Sequence, residues 1–79
     1  MARFFFHTEN GAVRLDTDGV ELASEDAAGL EATGLLGALL ADSPRGFWDS
    51  RRLTVTVADA DGQTLFTVEA RTRRHVPSN

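Results

Sequence analysis

Two Asp-x-Asp-Gly stretches and two histidines are the residues of this chain best suited to chemistry. Asp16-Thr17-Asp18-Gly19 and Asp59-Ala60-Asp61-Gly62 each set two carboxylates just ahead of a glycine, which is how a calcium loop begins. Such a loop also needs a third oxygen ligand and a Glu at about its twelfth position. Counted from Asp16 that position is Ala27, and from Asp59 it is Ala70. Both stretches therefore read as tight turns, where Asp and Gly are selected for backbone reasons. His7 and His75 are the only imidazoles, and there is no cysteine. Neither His has a fixed partner that would outline a nucleophile–base pair or a zinc site. Every basic residue is Arg, and Tyr is absent, which removes Lys and Tyr as acid–base or Schiff-base groups. We read the chain as non-catalytic and expect no metal and no cofactor.

The elements that position these residues centre on Ser24 to Ala41. This is the one stretch with a helical period: Ala28, Ala32, Leu35, Leu36, Leu39 and Leu40 fall on one side. Ser24 is a suitable N-cap, and Glu25 and Asp26 favour the positive end of the helix dipole. Pro44 ends the helix, because proline cannot continue it and biases Ser43 away from helical angles. The opposite side is unusual, with Ala27, Leu30, Gly34, Gly37, Ala38 and Ala41 in place of charged residues. Small residues there either permit a close helix contact or simply face solvent.

Strands flank the helix. Arg3 to Thr8 is dense in aromatics, Asn10-Gly11 tolerates the positive φ angles of a hairpin turn, and Val13 to Asp16 alternates as a return strand. Val20-Glu21-Leu22 leads into the helix. Gly46 to Asp49 reads as a loop whose Phe47 and Trp48 cover the end of the core. Leu53 to Val57 alternates strictly and is rich in β-branched residues. Asp59 to Gly62 turns the chain into a last strand, Gln63 to Ala70. The order is ββαββ. It predicts an α+β domain over residues 1–70, a four-stranded antiparallel sheet with one helix packed on one face, followed by a flexible basic tail over 71–79. Phe4, Phe6, Val13, Leu15, Leu53, Val55, Val57, Phe66 and Val68 would face the Leu stripe.

Arg3-Phe4-Phe5-Phe6-His7, Asp16-x-x-Gly19-Val20-Glu21-Leu22, the Ala- and Glu-containing helix from Ala27 to Ala32, and Val57-x-Asp59-x-x-Gly62 occur in this order. In these motifs the chain resembles a family of short uncharacterised bacterial proteins, a domain of unknown function, over about residues 3–70. The resemblance implies the same architecture and carries no activity with it. A hairpin followed by an Ala/Glu helix is also similar to small antitoxin domains of the partial ribonuclease-H-like kind, which bind a toxin and sometimes DNA.

Alternation places Arg3, Phe5, His7, Arg14, Arg52, Leu65 and Arg71 on the outer face of the sheet, with Thr54, Thr56, Thr67 and Glu69. Such a face of an antiparallel sheet can simply be solvated, but arginines around two apolar residues are also the pattern of a partner surface. We expect it to hold a protein partner or a second copy of the chain, and the alternative is a nucleic-acid-binding or antitoxin-like regulatory module. The net charge of −4 opposes a general nucleic-acid binder. The charge is uneven, however: residues 51–79 hold five of the eight arginines and three of the twelve acids. The apolar share of 42% suits a globular chain. No apolar run approaches the roughly 20 residues needed to span a membrane, and Phe4-Phe5-Phe6 is too short for a signal-peptide core. The expected location is the cytoplasm.

Overall fold

A computed structural model describes residues 1–77. The chain forms β1 (Ala2–Glu9), β2 (Val13–Arg14), β3 (Val20–Leu22), α1 (Glu25–Asp42), α2 (Pro44–Ser50), β4 (Arg52–Ala58) and β5 (Thr64–Arg71). All pairings are antiparallel, in the order β2-β1-β4-β5, and β3 shares the edge of β1 with β2. The α+β class and the antiparallel sheet are as expected. The sheet has five strands rather than four, because its first edge is split, and there is a second helix.

The core lies between α1 and one face of the sheet. Phe4 and Phe6 of β1 and Leu53, Val55 and Val57 of β4 point inward, against Ala28, Ala32 and Leu36 of α1. The period-two strand and the helical stripe thus meet as predicted. Two alanines at the contact keep the helix close to the sheet, and Val55 and Val57 are fully buried beneath it. Ser24 is extended and its Oγ accepts the Ala27 N–H at 3.1 Å, which starts α1 where a cap was expected.

The segment read as a loop is α2. Pro44 occupies its first turn and the Ser43 carbonyl accepts the Phe47 N–H at 3.1 Å. Proline suits that place because its missing N–H would have no partner there. Of the two aromatics expected to cover the core, only Phe47 packs against it, while Trp48 is 46% exposed.

The largest correction concerns the first hairpin. Glu9 faces Val13 and Thr8 faces Arg14, so the connecting loop is Asn10-Gly11-Ala12, three residues rather than two. One extra residue reverses the parity of the return strand. Val13 then shares the face of Glu9, and Arg14 shares the helix-side face of Thr8. Val13 is 65% exposed, and Leu15, which lies beyond the two-residue strand, is 67% exposed. Neither belongs to the core, contrary to expectation.

At the other end, β5 runs to Arg71, and the Thr72 N–H still bonds the Arg51 carbonyl at 3.0 Å. The expected tail therefore begins after the sheet ladder, and its last two residues, Ser78 and Asn79, lie outside the described residues. Among the described residues no helix is long and apolar enough to cross a membrane.

Leu36 sits at the centre of the stripe, so Leu36→Ala is expected to cost about 2–4 kcal/mol in denaturant unfolding. A loss below about 0.5 kcal/mol, the usual scale of a surface change, would contradict this packing. On the opposite side of α1, a methyl added at Gly34 or Gly37 meets nothing within 4 Å. Replacing both with Ala should stabilise the fold by about 0.5–1 kcal/mol per site and so raise the melting temperature, with no dependence on protein concentration. A lowered melting point, or a change in oligomeric state, would show instead that this face is in contact with another chain.

Candidate association surface

Among the described residues no helix covers the outer face of the sheet. Phe5 and His7 of β1 stand there opposite Ala58 and Thr56 of β4, and Thr56 is opposite Thr67 of β5. The two threonine hydroxyls lie 3.5 Å apart. Ala58 is buried although it faces outward. Phe5 is half-buried and extends toward Gly19, where an added Cβ would come within 2.9 Å of the Phe5 ring and of Arg3 Cγ. Gly19 also has φ +74°, so both the backbone angle and the space there exclude larger residues.

The expected surface residues do not form one basic patch. Arg3 lies 3.4 Å from Glu21 across the β1–β3 ladder and donates from Nη1 to the Asp18 carbonyl at 2.9 Å. Arg71 bonds Glu69 at 3.0 Å. Arg14 was expected on this face but is on the helix side, for the reason of parity given above. Arg52 does face outward, directly opposite Arg71. Leu65 sits at the register shift of β5 and packs against the core cluster, so it is no free apolar anchor beside Phe5. The outer face is therefore a neutral threonine-rich centre, with an ion pair near Phe5 and two facing arginines at the far end.

His7 and Asp16 form a local unit at the split edge. Phe5 to His7 of β1 lie opposite Leu15 to Gly19, five residues against three. The Phe6 N–H points to this edge, where no strand backbone meets it. Instead it donates to Asp16 Oδ2 at 3.1 Å, while Asp16 Oδ1 accepts the N–H groups of Asp18 at 3.0 Å and Gly19 at 3.1 Å. The Asp16 N–H donates to His7 Nδ1 at 3.0 Å. His7 Nδ1 is the acceptor in this bond. The second Asp-x-Asp-Gly turn does a related job: Asp59 Oδ1 accepts the N–H groups of Asp61 and Gln63, both at 2.9 Å. Both leading aspartates are thus committed to backbone donors. No group of three or more His, Asp or Glu side chains able to hold a metal ion occurs among the described residues.

The remaining feature is the sheet's second edge. The Thr72–Arg51 bond and the β4–β5 register together fix which groups face which way. Phe66, Val68 and Ala70 turn their N–H and C=O groups to β4. Thr67, Glu69 and Arg71 turn theirs to the open edge, and all three are exposed. Sequence reasoning missed this edge, since it depends on strand order.

A family model described as Domain of unknown function (DUF6894) matches residues 3–71. The chain belongs to this family. The match begins in β1 and ends with the last residue of β5, so the family's span coincides with the sheet and the two helices. No curated protein and no solved structure matches the chain.

Burial pushes the Asp16 carboxyl up, but the N–H groups of Gly19, Phe6 and Asp18 and the nearby His7 imidazole outweigh it. The net effect holds the group below its ordinary value of 3.8. A carboxylate held lower in the folded state stabilises above its unfolded value, and the contribution is lost as pH falls through the folded one. Asp16→Asn sets an amide donor or a weaker acceptor against the Phe6 N–H, and should cost about 1–3 kcal/mol near neutral pH. The gap between wild type and variant should narrow as pH falls below about 4. Urea unfolding at neutral and acid pH measures this, and a gap of constant size would show that the charge is not what stabilises the turn.

Proposed function

We propose that the domain is a non-catalytic association module that pairs with another protein chain, in the first instance a second copy of itself, along the open edge of β5. The observation that carries this is the difference between the two sheet edges. The β2/β3 edge is short and interrupted at Asp16, which is how edges are kept from pairing. The β5 edge runs for eight residues, of which Phe66 to Arg71 keep an uninterrupted register, without proline or lysine and with one ladder neighbour. Such an edge offers backbone donors and acceptors to an added strand.

Charge favours one register. In a two-fold antiparallel pairing the outward residues of one β5 meet those of the other. Centring the axis on Glu69 would set like charges face to face. Centring it on Ala70 sets Glu69 opposite Arg71 of the second copy, and Arg71 opposite Glu69. Opposite charges across a strand pair are favourable and like charges are not. The commitment of His7 and Asp16 to structural bonds supports the non-catalytic reading. A chain without cysteine suits a reducing compartment such as the cytoplasm.

The discriminating variant is Thr67→Pro. Its N–H faces outward, so proline removes no bond to β4 and is tolerated on an edge strand. We predict that the variant keeps most of the wild-type stability but loses association in sedimentation or light scattering across a concentration range. Val68→Pro, by contrast, removes a bond to Val55 and should unfold the domain. A Thr67→Pro protein that associates like the wild type, or a wild type monomeric at every concentration and without a protein partner, would end this reading.

A further inference from the structure

Folding separates the charges of this chain more sharply than its sequence does. Every arginine except Arg3 lies toward the end of the sheet where β4 begins and β5 finishes, as the strand register and the position of α2 require. Glu25, Asp26, Asp59 and Asp61 lie at the opposite end, where α1 begins and the β4–β5 turn sits. The basic end is not fully neutralised. Asp49 stands 4.0 Å from Arg45, and Glu69 is bonded to Arg71. Glu9 and Asp42 are the other acids there. Arg51, Arg52, Arg73 and Arg74 make no ion pair among the described residues.

Two features of this end are unfavourable in the free protein. Arg52 and Arg71 are directly opposite on neighbouring strands, in a pair whose backbone bonds point away from each other. That is the closer kind of cross-strand pair, so like charges repel most there. Arg51 has φ 70°, and it is the one non-glycine residue with a positive φ among the described residues. That angle ends α2 and sets the Arg51 guanidinium 4.5 Å from the centre of the Trp48 ring. Trp48 remains 46% exposed, beside a shallow hollow edged by Pro44 and Arg45.

We propose that this end of the domain binds single-stranded nucleic acid, with a base stacked on Trp48 and phosphates held by Arg51, Arg52, Arg71 and the two arginines that follow β5. An indole flanked by guanidinium groups fits an unpaired base, whose flat face is free, whereas a duplex hides its base faces. A phosphate bridging Arg52 and Arg71 would turn their repulsion into shared attraction. The acidic remainder of the molecule repels a polyanion, which confines binding to this end. Edge pairing and nucleic-acid binding both draw on Arg71, and Thr67→Pro separates them, because it removes the pairing while leaving all of the basic groups in place.

Trp48 is the only tryptophan, so it reports on its own site. Titration of the full chain with a short oligothymidylate at low salt should change its fluorescence, in the wild type and in Thr67→Pro alike. With a slope of about 0.7 per phosphate for single strands, roughly four contacts should weaken binding about fifty-fold between ~50 and ~200 mM salt. Arg52→Ala with Arg71→Ala should lower both the affinity and that slope. Arg73→Ala with Arg74→Ala, beyond the last strand and so without effect on the fold, should do the same. The proposal is overturned by any of three results. The first is that neither fluorescence nor the anisotropy of a labelled oligonucleotide changes at low salt. The second is that both double variants bind as tightly as the wild type. The third is that polyglutamate displaces the oligonucleotide at equal charge, which would identify an acidic protein segment as the occupant.

Discussion

The bond from the Phe6 N–H to the Asp16 carboxylate holds together the part of the sheet where strand pairing fails. Beside the middle of β1 the edge strand is interrupted, and five residues must lie against three. An amide facing that gap would lose a hydrogen bond, at a cost comparable to the net worth of several good contacts. Asp16 takes the place of the missing carbonyl, and its other oxygen gathers the next turn of chain through Asp18 and Gly19. That turn returns the chain to β1 as β3, two residues out of step with β2. From β3 only Ala23 and Ser24 separate the chain from α1. The phase at which the helix enters, and hence which of its faces meets Val55 and Val57, follows from how this turn closes.

The same bond makes the two edges of the sheet unequal. One is broken and bent by its own polar turn, and the other is long, in regular register from Phe66 to Arg71, and open. The two faces are unequal as well. One carries both helices, while the other has a threonine-rich centre with its charges at the rim. A protein of this size has few ways to present a partner with a rigid surface. Here the options are the open edge, the uncovered face and the arginine-rich end, all on elements held by the core rather than on long loops.

Much of this was legible in the sequence. The positions of the apolar stripe from Ala28 to Leu40, the capping chemistry of Ser24 and the strict alternation of β4 all match the structure. The failures came where one residue, rather than a period, decides the outcome. Asn10-Gly11 signals a turn but not its length, and a loop longer by one residue moved Val13 out of the core and Arg14 to the helix side. The Ser43-Pro44 pair is a helix-start signal, but seven residues are too few for a period to show. The two Asp-x-Asp-Gly turns look alike in sequence, yet Asp59 serves its own hairpin while Asp16 bridges to another strand. The polar ends of the molecule were visible only as an uneven tally, because the register decides which distant charges become neighbours.

One consequence follows from the place of β1. It comes first in the chain but lies inside the sheet, and its ladder with β4 joins positions 45 or more residues apart. Until β4 exists, β1 can pair only with the broken edge formed by β2 and β3, and an assembly of so few short strands without a covered core is marginal in water. The helix cannot supply the shortfall, because its stripe needs Leu53, Val55 and Val57 to rest on. Without β4, the segment from β1 to α1 therefore lacks the surface that its apolar side chains rest on, and the contacts that complete the core are of high contact order. The burial of Phe4 and Phe6 at the start of the sheet thus depends on a strand that the chain supplies only after both helices.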